Sequence, residues 1–159
     1  MTPRIDHQKQ SPELFRKLAA FSRAFEQSPL EQSLRDLVEI RSSQMNGCAF
    51  CLDIHVKAAT KHGERPLRLH HIAVWRESPL FSPRERAVLI WTEMLTDIPA
   101  EGVNDDAYEK VREQLSEKEL ADLTYFVAAI NAWNRLNIAF QTPVGSADKA
   151  SGVDGTGLS

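Results

Sequence analysis

Helix-start signals recur along this chain of 159 residues and constrain its fold more strongly than any other feature. The stretches "SPLE", "SPRE" and "SEKE" each pair a serine with a glutamate three residues later, and apolar residues at helical spacing follow each of them. In such a capping box the serine hydroxyl and the glutamate carboxylate each accept a hydrogen bond from a backbone N–H that the first turn leaves free. We therefore predict that helices start at Ser28, Ser82 and Ser116.

Apolar periodicity predicts further helices outside these three segments. The stretch "SPELFRKLAAFSRAF" carries an amphipathic stripe, made of Leu14, Phe15, Leu18, Phe21 and Phe25. A break at Gly102 and Asn104 precedes a short helix of about ten residues that is expected from Asp105. No comparable period-two alternation marks a strand. The sequence therefore predicts an all-α fold, a helical bundle of about six or seven helices.

Composition and termini indicate one domain with a loose end. We assign residues 1–141 to a single helical domain, and the small, polar, Gly-rich residues 142–159 to a flexible C-terminal tail. The formal net charge of −3 gives no reason to expect nucleic acid or an anionic membrane as a partner. The polar start "MTPRIDHQKQ" and the lack of an apolar run of roughly 20 residues predict a cytoplasmic protein.

Both cysteines of the chain lie in one motif with a histidine. At about 100° per residue, Cys48, Cys51 and His55 fall within an arc of about 60° on a helix, so all three share a face. We predict that Asn46 caps this helix and that Cys48 lies in its first turn, where the helix dipole stabilises a thiolate. In a reducing cytosol a close pair of thiols is more often catalytic, redox-sensing or metal-binding than a permanent disulfide.

Two carboxylates on the preceding helix are candidates for orienting the imidazole. If the chain folds back as a hairpin hinged near Asn46, Asp36 lies at the level of His55, while Glu39 lies at the level of Asp53. A carboxylate beside the imidazole would raise its basicity, as in a base and its orienting partner. The sequence leaves open whether the hinge is a hairpin or a mere kink.

Other readings of the motif remain open. The cysteines could be a buried, inert pair, or they could bind zinc with His62, His70 and His71, whose spacing lacks the regularity of a zinc ligand set. Otherwise those three histidines are surface or interface residues. No flavin, haem or nucleotide motif is visible, so we expect no cofactor.

Polar and aromatic residues outside the motif are expected to have structural roles. Asn131 and Asn134 lie on an apolar helix and are predicted to bond across helices, and Arg41 is predicted to pair with Asp36 or Glu39. The large aromatic residues are expected in the core or at subunit contacts, namely Trp75, Trp91, Trp133, Phe81 and Phe126.

The stretch "DLVEIRSSQMNGCAFCLDIH" resembles the core motif of the carboxymuconolactone decarboxylase superfamily, in its alkylhydroperoxidase D-like branch. That pattern is an acidic residue, eleven intervening residues, then Cys-x-x-Cys-x-x-x-His, and it falls on Asp36 where the family usually has Glu. The segments "WRESPLFSPRERAVLIWTEMLT" and "LTYFVAAINAWNRL" are also similar to this branch, so the resemblance covers most of residues 12–140.

The resemblance implies an all-helical unit that assembles into trimers or hexamers, with the cysteine pair at the N-terminus of a central helix. It implies that Cys51 attacks a peroxide and that Cys48 resolves the sulfenate. His55 and Asp36 would form the proton relay, and Glu39 is the alternative because the Asp36 side chain is one methylene shorter than the family's Glu.

The function expected from this resemblance is a thiol-dependent peroxidase or disulfide oxidoreductase. Its partners would be a hydroperoxide, an external lipoyl- or thioredoxin-like dithiol and further copies of the same chain. One alternative is a non-enzymatic, oligomeric redox sensor whose disulfide changes its assembly. Another is decarboxylation of a muconolactone, against which the cysteine pair argues because the decarboxylases generally lack it.

Overall fold

Eight α-helices and two short 3-10 helices follow one another in the computed structural model, which describes residues 2–158. The α-helices are α1 (His7–Gln10), α2 (Pro12–Ala24), α3 (Gln32–Asn46), α4 (Ala49–Lys61), α5 (Pro66–His71), α6 (Pro83–Thr96), α7 (Asp105–Arg112) and α8 (Glu117–Phe140). The described residues form no strand, so the predicted all-α fold is confirmed. The count exceeds the prediction because α1 and α5 have only four and six residues, too few for a periodic pattern.

Two of the three predicted helix starts are found. Ser82 and Ser116 cap α6 and α8 in complete capping boxes. The prediction for Ser28 is wrong, because α3 begins after Glu31. The Ser28 hydroxyl instead donates to Oδ2 of Asp122 on α8 at 2.7 Å. The Ser28 hydroxyl, which the local pattern predicts to cap a helix, therefore forms a tertiary hydrogen bond instead.

The core forms around α3, which packs against α4, α6 and α8. Fully buried apolar side chains come from these helices and their neighbours, among them Leu37, Val38, Ile40, Val88, Leu89, Leu123 and Val127. The predicted aromatic core residues are buried except for Trp133, which is partly buried. The stripe on α2 is covered less well, since Leu14 is 68% exposed. Among residues 2–158 no helix has the length and apolarity that crossing a bilayer requires.

Gly47 turns the chain between α3 and α4. Its φ of 69° lies in the left-handed region, where a side chain is strained and glycine is not, and its N–H closes the end of α3 on the carbonyls of Ser43 and Gln44. Helix α4 then packs back along α3. Helices α3 and α4 therefore form a hairpin and not a kinked helix. The hairpin brings the cysteine motif alongside the acidic residues of α3.

Residues that follow α8 lie against α4. Asp148 Oδ2 forms an ion pair with Nζ of Lys57 at 2.7 Å, and Lys61 Nζ donates to the carbonyl of Gly152 at 3.0 Å. Val153 is buried, at 3% exposure. The segment predicted to be a flexible tail thus meets the domain beside the cysteine helix.

Candidate active site

Cys48 occupies the N-cap of α4, and its Sγ accepts a hydrogen bond from the backbone N–H of Cys51 at 3.2 Å. The prediction that Asn46 caps this helix is wrong. Asn46 ends α3, and its amide donates to Oδ1 of both Asn131 and Asn134, which confirms that those two bond across helices. The Cys48 sulfur therefore lies at the positive end of the helix dipole, where negative charge is stabilised.

The two cysteines form a disulfide across the first turn of α4, with Cα atoms 5.3 Å apart. Both residues are buried. Their surroundings differ, because of the two only Cys51 is among the described residues that line a cavity of about 340 Å³. Of the two cysteines, Cys51 is therefore the one that borders the space in which a small molecule could bind.

The wall of this cavity is mainly apolar. It is built from α1, α2, α3, α4, α8 and two tail residues, and its larger apolar members are Phe15, Phe50, Ile54, Phe126, Ile130 and Trp133. Several polar side chains share the wall, among them Ser22, Glu39, His55 and Asn137. An apolar pocket with a small number of convergent polar groups is the usual composition of a site for a small organic molecule.

His55 and Glu39 form a pair in the same wall as Cys51. Nδ1 of the imidazole lies 3.1 Å from Oε2 of the carboxylate, and the side chains are 19% and 22% exposed. A carboxylate at Nδ1 leaves Nε2 as the nitrogen that can take or give a proton. The pair can therefore move a proton at the cavity while remaining partly shielded from solvent.

Asp36 lies beside a different imidazole. Nδ1 of His62 is 3.0 Å and 3.1 Å from the two carboxylate oxygens of Asp36, and Nε2 of Gln32 donates to Oδ1 at 2.9 Å. The predicted register, with Asp36 level with His55 and Glu39 level with Asp53, is wrong. The register differs from the prediction because the chain turns at Gly47 and not at Asn46. Glu39 and His55 are each eight residues from Gly47 and therefore face each other. Moving the hinge from Asn46 to the next residue shifts every facing pair by two.

Burial of Asp36 has a consequence for stability at different pH. Desolvation raises the pKa of Asp36 above its ordinary value of 3.8, although the hydrogen bonds from Gln32 and His62 act to lower it. The folded protein therefore binds this proton more tightly than the unfolded chain does. As the pH rises from about 4 through the folded pKa, the contribution of Asp36 to the free energy of unfolding falls.

We expect Asp36→Asn to remove this decline, because the amide does not ionise. Urea denaturation of both proteins between pH 4 and neutrality checks it. The wild-type free energy of unfolding should fall relative to that of the variant as the pH rises. Parallel curves would contradict the assignment.

Asn137 is a site residue that the sequence reasoning missed. Its Nδ2 lies 3.7 Å from Sγ of Cys51 and 3.0 Å from the carbonyl oxygen of Trp133. A signal was present, since Asn131, Asn134 and Asn137 recur every three residues on one apolar helix. The pattern predicts bonds across helices for Asn131 and Asn134, whereas Asn137 contacts the sulfur of Cys51.

Arg41 does not pair as predicted. Its Nε lies 2.6 Å from Oε1 of Glu93 on α6, and Nε1 of Trp75 donates to the same oxygen at 2.8 Å. Desolvation acts to raise the pKa of Glu93, but hydrogen bonds from Trp75, Arg76 and Arg41 outweigh it and lower the pKa. The guanidinium is therefore engaged on α6, away from the pairing with Asp36 or Glu39 that we predicted.

The zinc reading is not supported by the arrangement of the histidines. Within residues 2–158 no group of three or more His, Cys, Asp or Glu side chains is arranged to hold a metal ion. Nδ1 of His71 is instead within hydrogen-bonding distance of Oγ of Ser78, at 2.9 Å.

Comparisons with known proteins identify the family of this chain. Residues 12–94 match the carboxymuconolactone decarboxylase family. YdfG, an uncharacterized protein of Bacillus subtilis (strain 168), is 38% identical over 139 residues, which cover 87% of this chain and 95% of YdfG. The match therefore extends well beyond the cysteine motif.

Crystal structures of other proteins share the fold. ATU0492 of Agrobacterium tumefaciens, a protein of unknown function thought to be the antioxidant defence protein AhpD, superposes with a TM-score of 0.86 at 38% identity, covering 90% of this chain and 98% of that one. The alkylhydroperoxidase AhpD core of an uncharacterized peroxidase-related protein from Ralstonia eutropha JMP134 gives 0.78 at 21% identity, covering 91% and 77%. With its Cys-x-x-Cys pair, the chain belongs to the carboxymuconolactone decarboxylase family, in the alkylhydroperoxidase D-like branch.

Proposed function

We propose that this protein reduces hydroperoxides through a Cys48–Cys51 dithiol–disulfide cycle in which Cys51 attacks the peroxide. The observation that carries the proposal is the wall of the cavity, where Cys51 lies together with the His55–Glu39 pair. An attacking thiol needs access to its substrate and a base nearby, and Cys51 has both.

In the first step His55 takes the proton of the Cys51 thiol. The thiolate attacks the terminal oxygen of the hydroperoxide, so that a sulfur–oxygen bond forms while the oxygen–oxygen bond breaks. The sulfur loses two electrons and becomes a sulfenic acid, and the peroxide gains them. The departing alkoxide takes the proton back from His55 and leaves as an alcohol.

In the second step Cys48 closes the disulfide. Its sulfur attacks the Cys51 sulfur, the sulfur–oxygen bond breaks, and the hydroxide that leaves combines with the thiol proton as water. The pair is close enough for this step, since the disulfide is the state found in the structure.

In the third step an external dithiol, lipoyl- or thioredoxin-like, restores the thiols. Its thiolate attacks the sulfur of Cys51, which lines the cavity, so that a mixed disulfide forms and Cys48 departs as a thiolate at the N-terminus of α4. A leaving thiol of low pKa leaves faster. The second thiol of the donor then attacks the donor sulfur of the mixed disulfide, closes the donor's own disulfide and releases Cys51 as a thiol. This assignment gives each cysteine a role that matches its surroundings, access for Cys51 and stabilised charge for Cys48.

Single-turnover kinetics tests the proposal. Reduced protein mixed with one equivalent of an organic hydroperoxide should lose two thiols and form one alcohol per chain. The disulfide form of the protein, mixed with the same hydroperoxide, is the control and should not react. If the reduced protein does not consume hydroperoxide but changes oligomer size on oxidation, the protein is a redox sensor and the proposal fails.

A further inference from the structure

Asn137 holds its amide between a backbone carbonyl and the sulfur of Cys51. The residue is 8% exposed, and its Nδ2 is 3.0 Å from the oxygen of Trp133, one turn earlier on α8, and 3.7 Å from Sγ of Cys51. An amide nitrogen carries two hydrogens, so one can serve each acceptor.

The backbone contact fixes which end of the amide faces the sulfur. Turning the amide over would bring its oxygen to within about 3 Å of the Trp133 carbonyl, and two acceptors that close repel each other. The N–H end therefore faces Cys51. This orientation does not depend on the oxidation state of the cysteine, because it is set within α8.

A donor at this position matters most when the sulfur is negatively charged. A buried thiol in an apolar wall has a raised pKa, because burial disfavours the thiolate. Hydrogen bonds to charged groups are about twice as strong as those between neutral groups, and a low local dielectric strengthens them further. An N–H beside Cys51 therefore stabilises its thiolate far more than its thiol or the disulfide.

The two cysteines receive their donors from different sources. Cys48 accepts the backbone N–H of Cys51 at the helix start, whereas Cys51 accepts from a side chain on another helix. We propose that Asn137 is a further catalytic residue, whose side-chain N–H stabilises the anionic Cys51 sulfur as it attacks. The inference rests on the proposed function only in taking Cys51 as the reacting thiol.

The test isolates Cys51 in a Cys48→Ser background, where serine is a good N-cap. Asn137→Leu removes the donor, and Asn137→Asp replaces it with a carboxylate of nearly the same shape. Ile138→Ala, at an exposed neighbouring position on α8, is the matched control. Thiolate absorbance is followed against pH, and the rate of alkylation by iodoacetamide is measured at neutral pH.

Both Asn137 variants should shift the ionisation of Cys51 to higher pH and slow alkylation by about tenfold, the factor expected when a hydrogen bond to a charged group is lost. The control should match the Cys48→Ser parent. If Asn137→Leu does not fold, Asn137→Ala takes its place, because it removes the donor without adding a charge beside Cys51. An unchanged ionisation curve in a folded variant overturns the inference.

Failure of the inference and failure of the proposed function give different results. Ionisation that shifts in the Asn137 variants, in a protein that does not react with hydroperoxide, supports the role of Asn137 and refutes the peroxidase. Rapid peroxide reduction with an Asn137→Leu ionisation curve identical to that of the parent refutes the role of Asn137 alone.

Discussion

Replacing Cys51 with serine will abolish hydroperoxide turnover, whereas replacing Cys48 will leave one reaction per chain. Cys51 lines the cavity, so we expect its thiolate to be the nucleophile, and loss of an enzyme's nucleophile removes nearly all of its rate acceleration. We expect the turnover of Cys51→Ser to fall by at least about a thousandfold. Cys48→Ser keeps the nucleophile but cannot close the disulfide.

Rapid mixing followed by mass spectrometry separates these two outcomes. Cys48→Ser should consume one equivalent of hydroperoxide and accumulate one sulfenic acid at Cys51. Cys51→Ser should retain its remaining thiol and leave the peroxide unreacted. The opposite pattern, with Cys51→Ser oxidised and Cys48→Ser inert, would assign the attack to the cysteine at the helix N-cap.

Replacing Glu39 with glutamine will slow peroxide reduction by about a hundredfold, the lower range for loss of general acid–base catalysis. The carboxylate lies 3.1 Å from Nδ1 of His55. In the proposed mechanism it stabilises the imidazolium that forms when the Cys51 thiol gives up its proton. Glutamine keeps the shape but not the charge. Asp36→Asn is the matched control, because that carboxylate contacts His62.

The pH dependence of the single-turnover rate measures this effect. The Glu39→Gln profile should lie about a hundredfold below that of the wild type at neutral pH, while the Asp36→Asn profile should follow the wild type within about twofold. If Asp36→Asn is slow and Glu39→Gln reacts at the wild-type rate, the assignment is wrong, and Asp36, the residue that the family pattern indicates, serves the proton relay.

Helix starts could be predicted wherever both hydrogen-bonding partners lie within a few residues. Ser82 and Ser116 cap their helices because each box is completed by a glutamate in the same turn. Ser28 has the same local pattern, but its hydroxyl is bound by Asp122, a residue 94 positions later. A contact at that separation leaves no mark in the local sequence.

The candidate site likewise combines features that follow from the local sequence and contacts that depend on the three-dimensional fold. The shared face of Cys48, Cys51 and His55 follows from helical geometry alone. Which carboxylate faces His55 depends on the position of the hinge to within one residue. Asn46 and Gly47 are neighbours and both residue types are common in turns, so the sequence does not decide between them. Contacts that need three-dimensional packing were beyond the pattern.

The cavity and the Asn137 contact belong to this last group. The wall of the cavity combines segments from both ends of the chain, from His7 on α1 to Ala147 and Ser151 in the tail. The segment predicted to be loose therefore contributes to the surface that a substrate would meet.

The reduction potential of the Cys48–Cys51 pair tests most directly whether these sulfurs take electrons in a cycle or only hold the chain together. It is measured by equilibrating the protein with a dithiol of known potential and counting free thiols. We predict a value between about −200 and −290 mV, within reach of thioredoxin- and glutaredoxin-type donors. A value well below about −300 mV would identify a structural disulfide and contradict the cycle.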